Sequence, residues 1–82
     1  MRDAISIEVS RILRDKRKHK GISMTRLAER AGLSQSMISL VERDLRNPTL
    51  DTLLRITDVL EIELSDVIAK AKIAVVRRVK DG

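Results

Sequence analysis

The 82-residue sequence contains no cysteine and no phenylalanine, tyrosine or tryptophan. Without cysteine, the chain has no disulfide, no thiol nucleophile and no thiolate metal site. Without aromatic rings it cannot stack bases on its side chains, which argues against the usual modes of binding single-stranded nucleic acid and of reading RNA sequence. The hydrophobic core is therefore predicted to be aliphatic.

Long apolar runs are also absent. The longest spans four residues, Ile73 to Val76, whereas a membrane-spanning helix needs roughly 20. The first residues lack the apolar region of a signal peptide. We expect a soluble, cytoplasmic protein without a membrane partner, and a chain of this length supports one small core, which excludes most enzyme folds.

The charge is positive overall and unevenly distributed. The net charge is +5, made up of +4 over residues 1–20, +1 over 21–48, −4 over 49–69 and +4 over 70–82. A basic balance favours a polyanionic partner without proving one.

Apolar residues recur at three- and four-residue spacing, and only three glycines and one proline interrupt the chain. This pattern predicts an all-α fold. The first four helices are expected over about residues 4–19, 24–31, 35–43 and 50–60. Ser23, Ser34 and Thr49 precede the second, third and fourth helices and are expected to be their N-caps.

A fifth helix is predicted to begin at Asp66, with Ser65 as its N-cap. Its end is open, because residues 73–79 are rich in β-branched side chains and could form a short strand between subunits. The uninterrupted helical spacing favours a helix to about residue 78.

The second and third predicted helices are separated by three residues that include Gly32. Ala28 is small enough for a helix crossing, Gly32 suits a left-handed turn, and Ile38 and Val41 supply the inward face of the third helix. This spacing is typical of a helix-turn-helix.

With these residues the sequence resembles the Cro and phage-repressor type of helix-turn-helix domain, also called the XRE family, over about residues 5–69. The resemblance rests on these motifs: Arg17-x-x-x-Gly21-Ile22-Ser23; Leu27-Ala28-x-x-Ala31-Gly32-Leu33-Ser34-Gln35-Ser36-x-Ile38-Ser39; Glu42-Arg43; Arg46-Asn47-Pro48-Thr49-Leu50; and Leu60-x-Ile62-x-Leu64.

The resemblance implies a five-helix, lambda-repressor-like DNA-binding domain whose third helix enters the DNA major groove, usually as a dimer that controls transcription. We assign residues 1–69 to this domain and residues 70–82 to a basic C-terminal extension. Helical spacing directs Arg17 and Glu42 inward, and the resemblance implies a salt bridge between them.

Two departures from the family pattern affect the site. Met24 replaces a common glutamine that reaches a phosphate, so only backbone N–H groups can make that contact here. Asp44 replaces a frequent glycine, and aspartate tolerates left-handed backbone angles better than most residues.

The reading surface is expected on the exposed side of the third helix. Gln35 can pair with adenine through its amide, and serines can approach base edges closely, although they specify weakly. Exposed apolar groups can meet a thymine methyl. The candidate base-reading residues are Gln35, Ser36, Met37, Ser39 and Leu40.

Phosphate contacts are expected beside that helix, from helix starts, arginines and loop amides. The candidates are Met24, Thr25, Ser34, Arg43, Arg46 and Asn47.

A homodimer interface is expected from residue 64 onward, since the apolar residues there outnumber what one small core can cover. The candidates are Leu64, Val67, Ile68, Ala71, Val75 and Val79. A rival interpretation keeps this tail disordered or lays it along DNA phosphates.

No nucleophile and base pair, metal site, cofactor motif or small-molecule site is evident, so an enzyme is not expected. The predicted function is a sequence-specific transcriptional regulator that binds a palindromic operator in duplex DNA as a homodimer. The alternatives are a protein-interaction module, such as an antitoxin that covers a toxin, and a restriction-modification controller.

Overall fold

The computed structural model describes residues 3–81, and the side chains of residues 3–78. Over that range the chain forms five α-helices with short connections and no strand. The helices are α1 Ala4–His19, α2 Met24–Ala31, α3 Gln35–Glu42, α4 Leu50–Val59 and α5 Leu64–Asp81. The predicted all-α, five-helix fold is confirmed, and residues 73–79 continue α5 instead of forming a strand.

Hydroxyl side chains begin three of the helices, as predicted. Ser23, Ser34 and Thr49 each have an extended backbone and accept a hydrogen bond from the N–H three residues later, at 3.0, 3.0 and 3.1 Å. Asp3 caps α1 by accepting from the Ile5 N–H at 2.7 Å. Each cap satisfies a backbone donor that has no partner within its helix.

Residues with left-handed backbone angles follow both helices of the predicted helix-turn-helix. Gly32 ends α2 with φ of 69°, and Asp44 follows α3 with φ of 53°. The expectation that Asp44 accepts left-handed angles is therefore confirmed. Its carboxylate also accepts a hydrogen bond from the Ser10 hydroxyl of α1 at 3.4 Å.

The core is aliphatic, and every helix contributes to it. Its most deeply buried apolar side chains are Leu13, Leu27, Ile38, Val41, Ile56, Leu60 and Ala71. α1 packs against α5 and α3, while α2 packs against α3 and α4. Within residues 3–81, none of the helices combines the length and apolar character that crossing a bilayer requires.

The start of α5 differs from the prediction. The helix begins at Leu64, and Ser65 lies inside its first turn instead of capping it. The Glu63 carbonyl accepts hydrogen bonds from the N–H groups of Asp66 and Val67, at 3.1 and 3.2 Å. Leu64 is buried by the fold. Because of this packing, the helix starts two residues earlier in the sequence than predicted.

The apolar residues expected at a dimer interface are partly used by the protein's own core. Leu64, Val67 and Ala71 are buried, at 8, 2 and 0% exposure, so these side chains leave almost no surface for a second copy to contact. Ile68 and Val75 are half-buried, and the side chain of Val79 lies outside the described residues. Among the side chains of α5 that the structure describes, the large apolar ones that are exposed are Ile73 and Val76, each 53% exposed.

Arg17 and Glu42 form the ion pair expected from the sequence. Arg17 Nε donates to Glu42 Oε2 at 2.6 Å, and Arg17 Nη2 donates to Glu42 Oε1 at 3.0 Å. Arg17 Nη1 also donates to the Ile22 carbonyl oxygen at 2.7 Å, just before α2. Both charged side chains are buried, so one guanidinium joins α1, the α1–α2 connection and α3.

Substituting Arg17 by alanine is expected to lower the free energy of unfolding by about 3 to 5 kcal/mol, because Glu42 would remain buried without its partner. Chemical denaturation followed by circular dichroism measures the change. The double variant Arg17→Met, Glu42→Leu is the control and should recover most of the loss. Equal stability of wild type and Arg17→Ala would contradict a structural role for the pair.

A second buried carboxylate was not anticipated from the sequence. Glu8 of α1 is 1% exposed. It accepts hydrogen bonds from Arg11 Nε and Nη2 at 3.1 and 2.6 Å, and it pairs with Arg78 near the end of α5. The hydrogen bond and the charge of Glu8 raise the pKa of Arg11. The contact between Glu8 and Arg78 joins the second half of α5 to α1.

Substituting Arg78 by alanine is expected to destabilise the protein by about 1 kcal/mol, below the range for fully buried pairs because Arg78 is largely exposed and Arg11 still partners Glu8. The thermal midpoint should fall by about 4 to 8 °C for a domain of this size. Arg77→Ala is the matched control and should leave the midpoint nearly unchanged. A fall of the same size in both variants would mean that the Glu8 contact contributes nothing.

Candidate nucleic-acid interface

The pair α2 and α3 packs together on one side of the protein. The connection is short because Gly32 turns the chain, and the Leu33 N–H donates to the Ala28 carbonyl at 2.9 Å. Ala28 is buried at 3% exposure, and Ile38 and Val41 seal the inner side of α3. The outer side of α3 is therefore held in a fixed orientation relative to α2.

The outer side of this pair is concave. A shallow cavity of about 470 Å³ is lined by Met24, Gln35, Ser36, Ser39, Leu40 and Arg43. Gln35 and Ser36 are exposed, whereas Met24, Ser39 and Leu40 are half-buried. The structure thus brings together four of the five predicted base-reading residues, with two of the predicted phosphate-binding residues beside them.

Met37 is the exception among the predicted base-reading residues. Its half-buried side chain packs against the hydrophobic core and does not line the cavity. It lies four residues before the buried Val41, so the two side chains share one side of α3. The structure therefore places Met37 apart from the other four predicted base-reading residues.

The remaining phosphate candidates lie around this cavity or on the loop that follows α3. Thr25, Ser34, Arg43, Arg46 and Asn47 are all exposed. Arg43 is the C-terminal cap of α3, and Arg46 lies three residues further along the loop. Asn47 also lines a groove of about 250 Å³ that includes Ile5, Leu53 and Ile68.

A second cationic surface, on α2, was not predicted from the sequence. Lys20, Arg26 and Arg30 line one shallow depression at the start and outer side of this helix. Arg26 and Arg30 are four residues apart and both exposed, so they project from the same side of α2. That spacing was the available signal in the sequence. Glu61 also lines the depression and pairs with Lys20, so Arg26 and Arg30 are the cations that extend the positive surface beyond the cavity between α2 and α3.

A helix-turn-helix family model matches residues 13–67, from the middle of α1 into α5. The HTH-type transcriptional regulator SlrR of Bacillus subtilis (strain 168) is 39% identical over 59 residues, which cover 71% of this chain and 39% of SlrR. The chain spans about two fifths of the length of the curated relatives it matches.

Two solved structures are similar over most of their own length. The biofilm regulator SinR in complex with DNA superposes with a TM-score of 0.69 and 33% identity, covering 73% of this chain and 97% of that one. The restriction-modification controller protein C.AhdI from Aeromonas hydrophila has a TM-score of 0.74 and 34% identity, covering 79% and 98%.

Proposed function

Because this chain belongs to the XRE-type helix-turn-helix family, we propose that it is a transcriptional regulator that binds duplex DNA through α3. The observation that carries the proposal is the concavity between α2 and α3, which gathers short polar side chains beside an exposed arginine. An α-helix fits the major groove, where each base pair presents a distinct set of donors and acceptors.

In this proposal Gln35 reads a base, because its exposed amide both donates and accepts and therefore matches adenine N6 and N7. Ser36 and Ser39 allow close approach of α3 to the base edges. The first N–H groups of α2, at Met24 and Thr25, face a phosphate on one side.

Ser34, Arg43, Arg46 and Asn47 are the proposed phosphate contacts on and around α3. These contacts fix the position of the helix on the duplex without reading its sequence.

The comparisons support DNA as the partner. SinR, whose domain is similar to this chain over most of its solved length, was crystallised with DNA. The curated relatives extend well beyond the matched part, so what their remaining residues do is not carried over to this chain. We propose no catalytic role, and a location in the compartment that holds the DNA.

We also propose that the protein acts as a symmetric homodimer on a palindromic operator. One recognition helix reads few base pairs, whereas two copies about 34 Å apart address two half-sites. Since Leu64, Val67 and Ala71 serve the core, the proposed interface uses the outer side of α5, at Ile73 and Val76.

The charges along α5 support an antiparallel pairing of two copies of this helix. Glu63 lies just before its first turn and Asp66 within it, whereas its second half, residues 73–81, carries Arg77 and Arg78. A two-fold axis through the middle of the helix brings the acidic end of one copy to the basic end of the other.

A restriction-modification controller is the second candidate, because C.AhdI is similar to this chain over 98% of its own length. By contrast, a protein that covers a toxin needs a free arm. Residues 70–78 lie within α5 instead, and Glu8 pairs with Arg78 near its end.

Gln35→Ala is expected to weaken binding to the preferred site by about 1 to 3 kcal/mol and to relax preference at one base pair in each half-site. Arg46→Ala should weaken binding to all duplex sequences alike. It should also reduce the slope of log affinity against log salt concentration by about one. Selection from a random duplex pool, followed by titrations from about 50 to 200 mM salt, measures both effects.

The wild-type protein and a single-stranded version of the selected site are the controls. Equal affinity for single and double strands would reject the proposed function. A changed base preference in Arg46→Ala, with none in Gln35→Ala, would reverse the proposed orientation of the domain.

Replacing Ile73 and Val76 together by serine is expected to shift the protein toward the monomer, since both side chains would lose their proposed partner surface. Sedimentation velocity measures this shift. Binding to a palindrome should weaken, while binding to an isolated half-site should stay nearly unchanged. Ile7→Ser, which alters an exposed apolar residue of α1, is the matched control. A double variant that remains a tight dimer would place the interface elsewhere.

A further inference from the structure

The concave surface between α2 and α3 contains two apolar side chains among its polar ones. Met24 is the first residue of α2, and Leu40 lies on α3, four residues after Ser36 and one after Ser39. Both are half-buried and both line the cavity, and part of the Met24 side chain also packs against the hydrophobic core. The sequence assigned only the backbone of Met24 to DNA, and the structure adds its side chain.

Leu40 differs from the other apolar residues of α3. Ile38 and Val41 are buried in the core, and Met37 packs against it. Leu40 is not part of that packing and turns the opposite way, toward Gln35 and Ser36. Its apolar surface therefore contributes to the reading cavity and little to the fold.

Base edges in the major groove offer one apolar group, the C5 methyl of thymine, which 5-methylcytosine shares. Half-buried apolar side chains on a surface that docks there have no other apolar partner on the bases. We propose that Met24 and Leu40 read the C5 methyl group of a pyrimidine in each half-site, beside the base paired with Gln35. This inference rests on the proposed function.

The test removes the methyl alone. Each thymine of the selected site is replaced in turn by uracil, which keeps every donor and acceptor. At one position in each half-site we expect about fourfold weaker binding, the value for one buried methyl group. In Leu40→Ala the same replacement should change affinity less than about 1.5-fold.

Met24→Ala is a second variant, in case Leu40→Ala loses its fold, and it should also reduce the effect of uracil. Ile7→Ala, an exposed apolar residue outside the cavity, is the matched control and should keep the wild-type sensitivity. A further arm replaces the sensitive pair by cytosine or 5-methylcytosine paired with guanine. Recovery of affinity with 5-methylcytosine means that the methyl group alone is read. If affinity does not recover, the methyl group is read only as part of thymine.

Two results would overturn the inference. One is a wild-type protein that binds its site specifically but tolerates uracil at every thymine. The other is unchanged uracil sensitivity in both cavity variants, which would assign the methyl to other residues. Either result leaves the proposed function intact, whereas absence of specific duplex binding would reject the function itself.

Discussion

The orientation of α3 depends on the guanidinium of Arg17. It binds both carboxylate oxygens of Glu42 at the end of α3 and the Ile22 carbonyl just before α2. A buried charge left unpaired costs several kcal/mol of folding free energy, so loss of either partner is expected to destabilise the packing of α1 against α2 and α3. One residue of α1 thereby holds both ends of the helix-turn-helix, and α3 has little freedom to tilt against the rest of the domain.

Local features of the fold were predictable because their causes lie within a few residues. Ser23 and Ser34 cap the helices that they precede, and Gly32 and Asp44 take the left-handed angles that their types tolerate. The start of α5 was not predictable from capping rules. Burial of Leu64, which involves residues distant in sequence, outweighs the preference of Ser65 for a cap.

Side-chain partners across helices were harder to predict. Nothing near Glu8 in the sequence indicates burial, because its partner Arg78 is 70 residues away and the pairing depends on how α5 crosses α1. The same limit applied to the reading surface. Spacing placed both Met37 and Leu40 off the strict inward stripe of α3, and only the packing against neighbouring helices separates the one that supports the core from the one that lines the cavity.

The sequence prediction assigned one apolar side of α5 to a dimer interface, whereas the structure uses that side in its aliphatic core. The lack of aromatic residues explains this difference. A core without large rings needs more aliphatic positions to fill the same volume, and α5 supplies the buried side chains of Leu64, Val67 and Ala71. An apparent surplus in the sequence is therefore a requirement of the core. The opposite side of α5 remains exposed. There Ile73 and Val76 lie beside the basic residues Lys72 and Arg77 and take no part in the core. We propose a partner surface on this exposed side, because the side chains of the buried side leave almost no surface for another chain to cover.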